Sequence, residues 1–123
     1  MKETKTSYDM IKEYVQNYNG TLSDYFDNYD GFADCDNEAD ENGYTGNFAQ
    51  DFCDLDVNWI VESTDGSYMG CKITLTVGGP FCEIDTDAGI IYGRWGTGFY
   101  CEPLLTTRNI DSVMSDYYEC IIG

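Results

Sequence analysis

Histidine is absent from the 123-residue chain, and six Lys and Arg stand against 23 Asp and Glu, a net charge of −17. Without histidine the commonest general base, metal ligand and triad partner is gone. So few cations also argue against direct nucleic-acid binding, because the like charges of the backbone repel an acidic chain. No CxxC pair occurs, so the short spacings that mark zinc sites are missing. No apolar run approaches the roughly 18–20 residues that a membrane span needs. The segment after Met1-Lys2-Glu3-Thr4-Lys5 is mixed and polar, with no apolar signal core, and the expected compartment is the cytoplasm. Cys35, Cys53, Cys71, Cys82, Cys101 and Cys120 are spread evenly. An even count suits three disulfides in a secreted chain, but a cytoplasmic address favours free thiols.

What is present is enough apolar material for a core: 42% hydrophobic residues, 15% aromatic, with eleven tyrosines. Residues 1–123 are read as one α+β domain. Helices are expected over 7–30, as two segments. Tyr8, Ile11, Val15 and Tyr18 share a face of the first, behind a Thr6/Asp9 capping box. Asn19-Gly20 reads as its stop, and Thr21 restarts a helix with Leu22, Tyr25, Phe26 and Tyr29 inward. Residues 31–56 lose periodicity and read as a long acidic loop, with a helical turn near Phe48–Phe52.

Over 57–102 the pattern alternates, predicting a four- to five-stranded antiparallel meander. Asp65-Gly66 is expected to close the first hairpin as a type I′ turn, and Gly78-Gly79-Pro80 the second. A C-terminal helix is predicted over 109–120, with Ile110, Val113, Met114 and Tyr117 as its apolar stripe. The two N-terminal helices and the C-terminal one are expected on one face of the sheet. Tyr44, Tyr68, Tyr92 and Tyr118 are expected at the surface.

The charge is localised. Between Lys12 and Lys72 no cation occurs, while Glu13, Glu62, Asp65 and eleven central acids fall there. Those eleven are Asp24, Asp27, Asp30, Asp34, Asp36, Glu38, Asp40, Glu41, Asp51, Asp54 and Asp56. A monomer of this mass exposes about 6,700 Å², so its average is about one carboxylate per 290 Å². DNA carries about one charge per 110 Å² of cylinder. If the acids of the interval share about a third of the surface, they reach about one per 160 Å². That is within a factor of two of DNA, so clustering in space decides whether the surface is nucleic-acid-like.

Competing chemistries fare less well. Counting an EF-hand from Glu38 puts Glu38, Asp40 and Asn42 at places one, three and five and Gly43 at six, but place twelve is Ala49 where a bidentate Glu is needed. The match is partial, and calcium binding is the alternative reading; neither a metal nor a cofactor is expected. Carboxylate pairs can hydrolyse glycosides, yet 23 acids generate pairs by chance. Cys71 and Cys82 read as small core residues rather than nucleophiles. The Gly78-Gly79-Pro80 turn lacks the following helix and lysine of a phosphate cradle. Arg94 beside Trp95 is either a partner anchor or a surface residue paired with a carboxylate next to a core tryptophan.

The acidic, tyrosine-rich, histidine-free α+β character resembles small phage and mobile-element proteins that inhibit host defence nucleases, the anti-CRISPR and antirestriction DNA mimics. The stretch from Gly78-Gly79-Pro80 through Ile84-Asp85-Thr86 to Gly93-Arg94-Trp95-Gly96 is similar to short phage-type proteins as well. The resemblance implies an inhibitor, not an enzyme, whose carboxylates fill the basic groove of a nuclease or CRISPR effector. It implies a monomer or small homo-oligomer that contacts neither membrane nor nucleic acid itself. The eleven central acids are the expected partner-binding residues.

Overall fold

A computed structural model describes residues 5–121. Helix α1 (Ser7–Asn28) is followed by the short α2 (Phe48–Phe52), strands β1 (Asp56–Val61), β2 (Tyr68–Thr76), β3 (Phe81–Asp85), β4 (Ile90–Trp95) and β5 (Gly98–Pro103), and helix α3 (Thr107–Ile121). The five strands form one antiparallel sheet in the order β1-β2-β3-β4-β5, the expected α+β meander. Among the described residues no helix is long and apolar enough to cross a membrane.

The N-terminal helical region is one helix, where two were expected. The capping box forms, with Thr6 Oγ1 accepting from Asp9 N and Asp9 returning to Thr6 N. Asn19-Gly20, however, does not stop the chain. Asn19 is buried and belongs to the same stripe as Ile11, Val15, Leu22 and Tyr25. Its Nδ2 donates to Glu102 Oε2 at 2.6 Å and to the Pro103 carbonyl at 2.9 Å, and its Oδ1 accepts from Leu105 N at 3.1 Å. These bonds hold Asn19 in the buried stripe, and Gly20 does not take the left-handed conformation that a glycine stop needs, so the helix runs on to Asn28.

Helix α1 lies over β4 and β5, and α3 lies over β2 and α2. Gly93 makes the first approach possible: a Cβ there would meet Ile11 Cδ1 at 2.7 Å and the Phe81 carbonyl at 2.8 Å. The core joins Ile11, Val15 and Leu22 of α1 to Cys71, Ile73, Cys82, Ile84 and Ile91 of the sheet and to Ile110 and Met114 of α3.

Other expectations change in detail. In the first hairpin only Gly66 has positive φ, whereas type I′ needs two such residues, so that turn does not form. Gly66 N instead bonds back to the Glu62 carbonyl and Glu62 N to that of Ser67. A register shift beside Ile60/Val61 pairs Val61 with Tyr68 and leaves Met69 extra. The extra residue flips the alternation, so Tyr68 is turned in and Met69 out. Tyr68 then donates to Asp111 Oδ1 at 2.7 Å. Tyr118, not Tyr117, completes the buried stripe of α3 and donates to the Gly66 carbonyl at 2.8 Å. Tyr44 and Tyr92 are also half-buried, so none of the four tyrosines expected at the surface is freely exposed.

Among the described residues no helix lies over the second face of the sheet, which carries Thr74, Glu83, Tyr92, Lys72 and Arg94. There Glu83 is buried on its strand, accepting from Thr74 Oγ1 at 3.1 Å and from the Tyr92 hydroxyl. Arg94 reaches over the Phe99 ring on this face, while Trp95, the next residue of the same strand, packs against the core from the other. The two therefore cannot act as one anchor.

Candidate functional site

The acidic loop is built around an aromatic cluster and one carboxylate. Tyr25 stacks on Tyr29 with centroids 4.9 Å apart and meets Tyr44, Phe48 and Phe52 edge-on. These rings pin the loop to the end of α1, so its aromatics serve as anchors. Asp51 then fixes the backbone. Its Oδ1 accepts from Thr45 N and Thr45 Oγ1, each at 2.9 Å, and its Oδ2 from Gly46 N at 3.1 Å and the Tyr25 hydroxyl at 2.8 Å. Burial, and then the bond to this carboxylate, push the Tyr25 phenol well above its ordinary range.

Asp40 plays a smaller version of the same part. It accepts from the Tyr29 hydroxyl, from Asn42 N at 2.9 Å and from Tyr44 N at 3.2 Å. The Tyr29 bond is the main reason its carboxyl is held below the usual range, and the same bond raises the Tyr29 phenol. Asn47 caps α2 through Gln50 N, and its Nδ2 donates to the Ala33 carbonyl at 2.7 Å. Long as it is, the loop is tied to the end of α1 and to α2 by these bonds.

The expected partner-binding acids fall into groups. Asp24, Asp27 and Asp30 project from the last turns of α1 and its exit, all exposed. Three adjoining hollows share Asn28 and Tyr29 in their walls: one is bordered by Asp24, one by Asp27 and Asp30, one by Asp30, Glu38 and Asp40. These five carboxylates therefore border hollows that all adjoin Asn28 and Tyr29. Asp34, Asp36, Glu41, Asp54 and Asp56 are also exposed but line none of these three hollows. Asp51 is the exception, half-buried with both oxygens turned into the loop. It shapes the surface instead of presenting charge on it.

Acids at this end of α1 run against helix electrostatics. The C-terminal pole of a helix carries partial negative charge and favours Lys or Arg, yet the last turn of α1 has no basic residue. Asp24 and Asp27 are three residues apart, a rise of about 4.5 Å on a helix, against about 3.4 Å per charge along one DNA strand.

The calcium alternative finds no matching geometry. Among the described residues no three His, Cys, Asp or Glu side chains come together as a metal would require. The six cysteines are all free thiols. Burial pushes Cys53 and Cys82 up to about 12 and raises Cys71, which makes these three poor nucleophiles.

Sequence reasoning missed a second depression, on the far side of the loop. It lies between the loop, α2, β1 and the last turns of α3, and encloses about 560 Å³. Its walls include Phe32, Asp34, Trp59, Asp116 and Tyr117 together with Cys35, Cys53 and Cys120. The residues come from four separate elements, and no local pattern joins them. Trp59 and Tyr117 give no signal of it, for each stands among apolar neighbours, Val57, Ile60 and Val61 for the first and Val113, Met114 and Tyr118 for the second, and reads as core. No protein family, curated protein or solved structure matches this chain.

Proposed function

We propose that this protein is a nucleic-acid mimic that inhibits a basic host effector of the restriction or CRISPR type by occupying its substrate groove. The carboxylates of Asp24, Asp27, Asp30, Glu38 and Asp40 act as surrogate phosphates: the end of α1 and its exit carry the first three, and the loop held by Asp51 carries Glu38 and Asp40, which lowers the ordering cost of binding. The observation that carries this reading is the set of five acids bordering the hollows that adjoin Asn28 and Tyr29. The uncompensated acids at the helix end add to it, since negative charge there opposes the helix dipole and such breaches of local rules gather at functional sites. Asp34, Asp36, Glu41, Asp54 and Asp56 extend the field that steers encounter.

The test is competition between this protein and duplex DNA for a panel of purified restriction and CRISPR nucleases, from about 50 to 200 mM salt. Binding should displace the DNA and weaken steeply as salt rises. Asp24→Asn/Asp27→Asn/Asp30→Asn should weaken it and flatten the salt dependence. Asp27→Lys separates function from folding: it relieves the helix end, raising stability by up to about 1 kcal/mol, while lowering affinity. Absence of binding at low salt, or salt-independent binding, refutes the proposal.

A further inference from the structure

The depression beside Trp59 has the composition of a cation receptor. Its volume, about 560 Å³, lies in the range of ligand sites, and among the described residues no lysine or arginine lines it. Trp59 and Tyr117 both line it, with ring centroids 6.0 Å apart and planes inclined at 42°. Phe32 adds a third ring, about half exposed. Asp34 from the loop and Asp116 from α3 bring carboxylates to the same walls, and among the described residues neither has a hydrogen-bonding or ion-pairing partner for its side chain. Asp30, Asp40 and Asp51 accept from their own loop, whereas Asp34, like Asp36, Glu38 and Glu41, is left free to meet a ligand.

We infer that this depression is an anchor pocket for an arginine side chain of the basic partner, an assignment that rests on the function proposed above. A guanidinium is flat, stacks on indole and phenol faces, and donates along two edges to carboxylates. An ammonium could satisfy the acids but would leave the ring faces without a planar partner. The pocket thus supplies a defined contact that a field of surface carboxylates lacks, and it fixes the register in which the five acids meet the effector.

The test uses the full chain with Trp95→Phe, so that Trp59 is the sole indole, and the capped tripeptide acetyl-Gly-Arg-Gly-amide as probe. Saturable change in Trp59 fluorescence is expected, with a dissociation constant on the order of 1 mM for so small a ligand. The citrulline counterpart, same shape without charge, should bind at least tenfold more weakly, and Asp34→Asn/Asp116→Asn should lose the response. Asp24→Asn/Asp27→Asn/Asp30→Asn should keep it. The peptide should also slow alkylation of Cys120, an exposed thiol on the pocket wall. Equal binding of the citrulline peptide, or an unchanged response in Asp34→Asn/Asp116→Asn, overturns the assignment. Peptide binding with no nuclease binding would uphold the pocket and sink the mimic reading, so the two fail separately.

Discussion

Replacing Asp51 by asparagine removes one oxygen charge and reverses one end of the side chain. Oδ1 of the asparagine can still accept from Thr45 N and Thr45 Oγ1. The amide nitrogen then faces the Tyr25 hydroxyl, which can turn to accept, and Gly46 N, which cannot. One donor is left unpaired in a half-buried site, and the remaining bonds lose their charge assistance. Bonds to charged groups contribute about 1.5–3 kcal/mol each and an orphaned donor costs about 1–3 kcal/mol, so a net loss of about 2–4 kcal/mol follows. Against a total of about 5–15 kcal/mol that is large.

Urea unfolding measures the loss, with Asp54→Asn as control. Asp54 is exposed and makes no side-chain bond among the described residues, so its neutralisation should change stability by no more than about 0.5 kcal/mol. Amide exchange should locate the damage at Thr45 and Gly46 while the sheet stays protected. If Asp51→Asn and Asp54→Asn behave alike, Asp51 is one more surface charge and the pinned-loop argument is wrong.

Gly20→Ala should stabilise the protein by about 0.5–1 kcal/mol in thermal unfolding, because Gly20 is helical with nothing within 4 Å of an added Cβ. Gly93→Ala should cost about 1–3 kcal/mol or more in the same assay, since its Cβ has no room against Ile11 and the Phe81 carbonyl. Brief alkylation of the native protein near pH 8, read by mass spectrometry, should modify Cys35, Cys101 and Cys120 and spare Cys53, Cys71 and Cys82. Alkaline unfolding should be cooperative. Burial raises Tyr18 and Cys53 to about 12, and Tyr25, Tyr68 and Tyr92 upward too. Groups raised on folding stabilise fully below their unfolded values, near 8.5 for Cys and 10 for Tyr, and lose that contribution as pH climbs toward the folded ones. Tyrosinate absorbance and far-UV dichroism should therefore change together above about pH 10; phenols titrating with the fold intact would contradict it.

Period-2 alternation from Val57 onward, bounded by Asp65-Gly66 and Gly78-Gly79-Pro80, determined the meander by itself, because strand burial and turn chemistry are local. The capping box at Thr6/Asp9 and the turn at Phe48–Phe52 were local as well. The continuity of α1 through Asn19-Gly20 was not, for the partners that hold Asn19 lie at Glu102, Pro103 and Leu105. Tyr68 was read outward because the bulge that turns it in depends on the pairing of β1 with β2.

The same division runs through the site. That acids crowd one cation-free interval is a property of the chain. Tertiary structure decided that Asp51 faces inward, that Asp24, Asp27, Asp30, Glu38 and Asp40 border hollows adjoining Tyr29, and that Asp116 joins Asp34 beside Trp59. A carboxylate's identity is written in sequence, but the direction it points depends on which distant donors the fold brings to it.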